Sequence, residues 1–229
     1  MDPQKLFSDS RFDDRCAHCN GQADTRDHVP SKVLLDKPYP GSLPVVGCCA
    51  VCNAGFSDDE AYVAAFLECV IRGTTVPDDR FRPKIAALLK RRPNLAERIE
   101  SSKSIASSGI PEWSPDGESL RKVVLKLARG HIAYELGQQR PEEPLRVDIA
   151  PFNLMTPERR REFEEIPPQY LYPELGSRSF ITLMEGKPCA YGVWLVVQSG
   201  RYRYAVGQGE GDWVRFMIGE YLACRVEWD

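Results

Sequence analysis

The chain has 229 residues, 42% hydrophobic and 28% charged, with a formal net charge of -3. That composition is ordinary for a soluble globular protein with room for one large core or two small ones, and its overall charge does not advertise nucleic acid. No stretch approaches a membrane span, and eight cysteines behind a polar, acidic start predict reduced thiols, no signal peptide and a cytoplasmic location.

In chain order, residues 10–57 are turn-rich and cysteine-bearing, too short to hold a core without metal. Asp27-His28-Val29-Pro30 reads as extended, because Pro30 keeps Val29 out of the helical region. Leu43–Cys48 reads as a second strand. Ser57-Asp58-Asp59-Glu60 has the form of a capping box opening a helix that ends near Gly73, and its acids suit a helix start. Shorter helices are expected over Pro83–Arg91 and Leu95–Ser104, broken at Pro93.

The loop beginning at Ser107 is the expected boundary, dividing residues 1–106 from 107–229. Glu118–Leu136 carries Leu120, Val123, Val124, Leu127, Ala128, Ile132 and Leu136 at helical spacing. Thr156-Pro157-Glu158 opens a short helix with cap, proline and acid in order. Five segments rich in aromatic and β-branched residues follow: Ser179–Met184, Tyr191–Gln198, Arg201–Gly207, Trp213–Ile218 and Leu222–Trp228. They predict a small antiparallel sheet. The fold class is therefore α+β: a cysteine-bearing unit, a helical middle, then a helix and a sheet.

Charge is uneven along the chain. Residues 61–140 hold 14 Lys and Arg against 9 Asp and Glu. Arg80, Arg82, Lys84, Lys90, Arg91, Arg92 and Arg98 dominate that excess. A phosphate backbone would suit it; a solvated helix face is the commoner reading of such a cluster.

The chemistry concentrates in the first third. Cys16-Ala17-His18-Cys19 and Cys49-Ala50-Val51-Cys52 are two knuckles that can place four thiolates around one tetrahedral zinc, at about 2.3 Å each. Cys48 offers a shifted register, but Cys49 gives the usual two-residue gap and is taken as the ligand. Cys69, Cys189 and Cys224 lie in apolar contexts and read as buried thiols. His18 reads as a solvent-facing turn residue and His131 as an ordinary helix residue. His28 alone has an acid beside it inside the zinc unit. On a regular strand Asp27 and His28 point to opposite faces.

Taken together, Cys16-x-x-Cys19, Asp27-His28-Val29-Pro30-Ser31-Lys32 and Cys49-x-x-Cys52-Asn53 resemble the HNH endonucleases of the ββα-metal superfamily, over about residues 12–72. The resemblance implies an amino-terminal ββα-metal finger with a structural zinc. It implies His28 as general base and Asp27 and Asn53 as ligands of a catalytic Mg²⁺ or Mn²⁺. Oxygen donors suit such a hard cation, which neutralises developing charge in phosphodiester hydrolysis. Arg26 and Lys32 are candidate phosphate contacts. The asparagine usual in the middle of that family's motif falls near Ser42 or Pro44, and neither is asparagine.

The expected function is metal-dependent cleavage of nucleic acid, DNA before RNA. The alternative is a zinc ribbon that binds nucleic acid or protein and cuts nothing. A third idea places single-strand binding on the alternating Arg201, Tyr202, Arg203 and Tyr204. The carboxy-terminal half is expected to select substrate or to pair with a second copy of the chain.

Overall fold

The computed structural model describes residues 14–107, 109 and 111–229. The amino-terminal stretch expected to lack a leader lies, up to residue 13, outside them, as do Ser108 and Ile110 of the expected boundary loop. Among the described residues the fold is mixed α+β, with six α-helices and antiparallel sheets. No helix is long and apolar enough to cross a membrane.

Strand β1 (Thr25–His28) pairs antiparallel with β2 (Val45–Cys48), and helix α1 (Ala50–Arg72) follows at once. The helix starts seven residues before the expected capping box. Its first amide, Ala50 N, donates to the Asp24 carboxylate at 2.6 Å, so an acid far upstream does the capping. Ser57–Glu60 lies inside the helix, and the capping-box expectation is corrected accordingly.

The remaining helices are α2 (Pro83–Arg91), α3 (Pro93–Ser101), α4 (Gly117–Leu136), α5 (Pro157–Glu164) and α6 (Arg178–Met184). Pro93 opens α3 as its first residue instead of ending the helix before it, a position where a missing amide costs nothing. Thr156 caps α5 as expected, accepting from Arg159 N. Arg178–Met184 is helical where a strand was expected. Ser177 caps it by accepting from Phe180 N, and that cap outweighs the β-branched composition.

The chain divides into two compact units, Met1–Gly55 with Leu125–Asp229, and Phe56–Val124. The division does not fall at the expected boundary near 106. In the smaller unit, β3 (Lys103–Ile105) pairs with β4 (Pro111–Trp113), and Tyr62, Phe66, Ile85, Leu89 and Ile99 are buried. Several of its basic residues are paired within the unit. Arg80 pairs with Asp78, Arg92 with Asp58, Arg98 with Asp116 and Lys122 with Asp59.

In the larger unit, β5 (Arg146–Pro151), β6 (Leu195–Gln198), β7 (Tyr202–Gln208), β8 (Asp212–Ile218) and β9 (Leu222–Glu227) form one antiparallel sheet in the order β5-β9-β8-β7-β6. Strand alternation gives it two apolar faces. Tyr202, Tyr204 and Phe216 face His131 of α4, whose ring stacks on Tyr204 at 3.8 Å between centroids. Met217 and Ala223, of opposite parity, pack with Phe163 of α5. Arg215 Nη1 donates to the carbonyls of Glu162, Phe163 and Glu165, satisfying the end of α5.

The part of α4 in this unit also covers the hairpin. Ala133 and Tyr134 pack against a cluster of Ala17, Val29 and Val46. A single stretch of helix thus serves the hairpin on one side and the sheet on the other.

Candidate metal centre and active site

The four knuckle sulfurs, Cys16, Cys19, Cys49 and Cys52, all lie within 4.8 Å of one another. Cys19 Sγ and Cys49 Sγ are 3.8 Å apart, and tetrahedral zinc with 2.3 Å bonds requires a sulfur separation of about 3.8 Å. The cluster is compatible with a structural metal such as zinc. Local geometry explains how these residues converge. In the first knuckle Asn20 N donates to Cys16 O at 2.9 Å and Cys16 N to Gly21 O at 2.7 Å, with Asn20 at a φ of 58°, a conformation asparagine tolerates. In the second, Cys52 N points at Cys49 Sγ. The Cys16 thiol falls to about 7: burial raises it, and the amides of Cys49, His18 and Cys19 outweigh that.

Cys48 is not a member of the cluster. It is fully buried and donates to the Cys49 carbonyl. Cys69, Cys189 and Cys224 are buried thiols, as expected.

Strand β1 runs in regular register to its last residue, Asp27 opposite Val46 and His28 opposite Val45. Asp27 is consequently turned inward and buried, while Arg26 and His28 share the other face. The Asp27 carboxylate is occupied. Lys126 Nζ from α4 lies 2.9 Å from it, and His18 Nε2 lies 3.1 Å from Oδ2. Lys126 Nζ also donates to Ser31 Oγ at 2.7 Å and to the His28 carbonyl at 3.3 Å. Burial alone would raise the Asp27 carboxyl; His18 and Lys126 override it and hold it below its ordinary value. His18 is buried, which corrects its expected exposure. Burial lowers its pKa more than Asp27 raises it.

His28 stands half-buried at the end of β1. Its Nδ1 is enclosed and has no hydrogen-bond partner among the described residues. Its pKa is lowered first by burial and then by Lys32; Asp27 and the Pro44 carbonyl oppose this. Pro44, where the usual asparagine is missing, therefore contributes a backbone oxygen beside the imidazole, and the same oxygen accepts from Val29 N at 3.0 Å. Arg26 and Lys32 are exposed, Lys32 with its ammonium 5.8 Å from the Tyr39 ring centroid.

Asn53 lies one residue past the last knuckle cysteine in α1. Its amide nitrogen donates to Thr25 Oγ1 at 3.2 Å and to the Arg26 carbonyl at 3.4 Å. Asn53 therefore ties α1 to β1. Of the two expected ligands of a catalytic ion, Asn53 retains an amide oxygen as a donor, but Asp27 has both oxygens engaged by protein groups. As a pair the two do not fit a hydrated divalent ion, which keeps several waters and needs open carboxylate oxygens.

The strand of Arg201, Tyr202, Arg203 and Tyr204 is no stacking platform. Both tyrosines are fully buried, Arg201 pairs with Asp36 at 2.5 Å and Arg203 with Glu164 at 2.6 Å. Lys126 was missed by sequence reasoning. Its signal was a charged residue in a helix segment, 123–136, that has almost no wet side.

No family model, curated protein or solved structure matches this chain.

Proposed function

We propose that the chain is an HNH-type endonuclease that hydrolyses phosphodiester bonds, DNA ahead of RNA, with His28 as general base. The observation that carries this reading is the setting of His28. It ends the first strand of a β-β-α succession whose four cysteines suit zinc, and its Nδ1 is enclosed. A neutral imidazole keeps one unprotonated ring nitrogen that can take a proton from water. A lowered pKa keeps the imidazole neutral and ready to accept at pH 7. Arg26, on the same strand face, and Lys32, just beyond the turn, supply positive charge toward a phosphate backbone. The zinc frame holds hairpin and helix in register and supplies no chemistry.

The second reading is a non-catalytic zinc-ribbon module that binds nucleic acid or protein. Neutralisation of Asp27 by Lys126 favours it, since a purely structural hairpin needs its buried acid paired.

The test is incubation of the zinc-loaded chain with plasmid DNA and with structured RNA, in Mg²⁺, Mn²⁺ or EDTA, beside His28→Ala. Cleavage that falls at least ~100-fold in His28→Ala, with zinc retained, supports the nuclease. Equal cutting by the variant removes His28 as the base. No cutting by the parent under any condition favours the binding module.

A further inference from the structure

We infer that Lys126 is the resident cation of Asp27, standing where the HNH resemblance puts a divalent ion, and that Asp27 is not a metal ligand in this protein. The inference uses the reading above only for where an ion would be expected; it holds for a nuclease or for a binding module.

Four observations carry it. Lys126 and Asp27 are both buried, with side-chain exposures of 1% and 11%. The ammonium lies 2.9 Å from the carboxylate, so one positive and one negative charge compensate each other inside the unit. A second, divalent cation on the same carboxylate would add uncompensated charge beside an ammonium already in contact with it. The second oxygen faces His18 Nε2 at 3.1 Å, so each carboxylate oxygen has a protein partner. Lastly, Lys126 is built in by its other contacts. Its three donors can reach Asp27, Ser31 Oγ and the His28 carbonyl, matching the inventory of an ammonium group.

The placement follows from α4. Gly130, one turn beyond Lys126, has no side chain to hold the helix off β1; a Cβ there would overlap Val29 Cγ2 and come within 3.1 Å of Cγ1. That close approach brings the Lys126 ammonium to the strand. His18, Asp27 and Cys48 have ligand atoms within 4.8 Å of one another, all buried. With Lys126 on the acid, this cluster is a hydrogen-bonded interior, not a second metal centre.

The test measures Mn²⁺ binding to the zinc-loaded full chain by calorimetry and by the electron paramagnetic resonance of free Mn²⁺, for the parent and for Asp27→Asn. In parallel, the Lys126 ammonium is followed by ¹⁵N NMR during Mg²⁺ titration. The expected result is a Mn²⁺ affinity that changes less than twofold in Asp27→Asn, with a Lys126 signal that Mg²⁺ does not shift. A tenfold or greater loss of Mn²⁺ affinity in Asp27→Asn, or displacement of the Lys126 signal by Mg²⁺, overturns the inference. Lys126→Met should create a Mn²⁺ site that the added Asp27→Asn removes. If Lys126→Met does not fold, the first two measurements still decide. A chain that cuts nothing yet passes these tests fails as a nuclease while keeping Lys126 in this role.

Discussion

Gly130 and Val29 sit in direct apposition: the backbone of α4 rests on the Val29 side chain with no room for a methyl group between them. Glycine inside a helix ordinarily destabilises it by about 1 kcal/mol relative to alanine, so Gly130→Ala would stabilise an unencumbered helix. Here overpacking, about 1–3 kcal/mol, opposes that gain. We expect a lower melting temperature for Gly130→Ala and partial recovery in Gly130→Ala with Val29→Ala. A higher melting temperature for the single variant in scanning calorimetry would refute the close packing.

The cysteine cluster makes a stoichiometric prediction. One zinc per chain should bind, and Cys19→Ser or Cys49→Ser should lose it, while Cys48→Ala keeps it. Chelation should loosen the two knuckles, since metal binding to such a site contributes folding free energy. Metal content by atomic emission, read beside circular dichroism, checks both. Loss of zinc in Cys48→Ala alone would put the ligand register one residue earlier.

Glu135 is fully buried and accepts from Arg178 at 2.6 Å, from Ser179 at 2.8 Å and from Tyr204 at 2.5 Å. Glu135→Gln leaves the guanidinium without its counter-charge and should cost about 3–5 kcal/mol. Glu135→Leu combined with Arg178→Met should be closer to the parent than the single variant. Urea unfolding of the three proteins measures this, and a single variant within about 1 kcal/mol of the parent, on the order of ordinary surface changes, speaks against a buried pair.

The histidines set a pH dependence. His131 is held well below its ordinary pKa, by burial first and then by the Lys126 charge; His18 and His28 shift the same way. Below about pH 6.5 the unfolded chain takes up protons that the folded chain refuses. Stability is therefore complete above that pH and declines as pH falls beneath it. With zinc saturating, the urea midpoint should drop between pH 7.5 and pH 5, and drop less in His131→Gln. An identical drop in both proteins would show that His131 does not contribute.

The knuckles, the helix over residues 118–136 and the four terminal strands were legible because each is written locally, in spacing or alternation. What was missed depended on distant partners. Ser57-Asp58-Asp59-Glu60 has every local mark of a helix start, yet the helix begins at Ala50 because Asp24 reaches its amide from across the hairpin. Asp27 looked like an open ligand because nothing nearby announces Lys126, 99 residues away. Lys126 was not singled out because one helical face was assigned to the core, whereas this stretch of α4 buries two. The alternation rule did anticipate that Asp27 and His28 part company across β1.

The double use of α4 bears on how this protein could be dissected. A fragment stopping at residue 106 would carry both knuckles, His28 and Asn53, and would have the look of a complete minimal unit. It would leave Val29 and Val46 bare to water and Asp27 as an inward charge with no ammonium beside it. The four-cysteine hairpin and the distal sheet are therefore one folding piece, and excision of the first third should yield an insoluble product instead of a smaller working one.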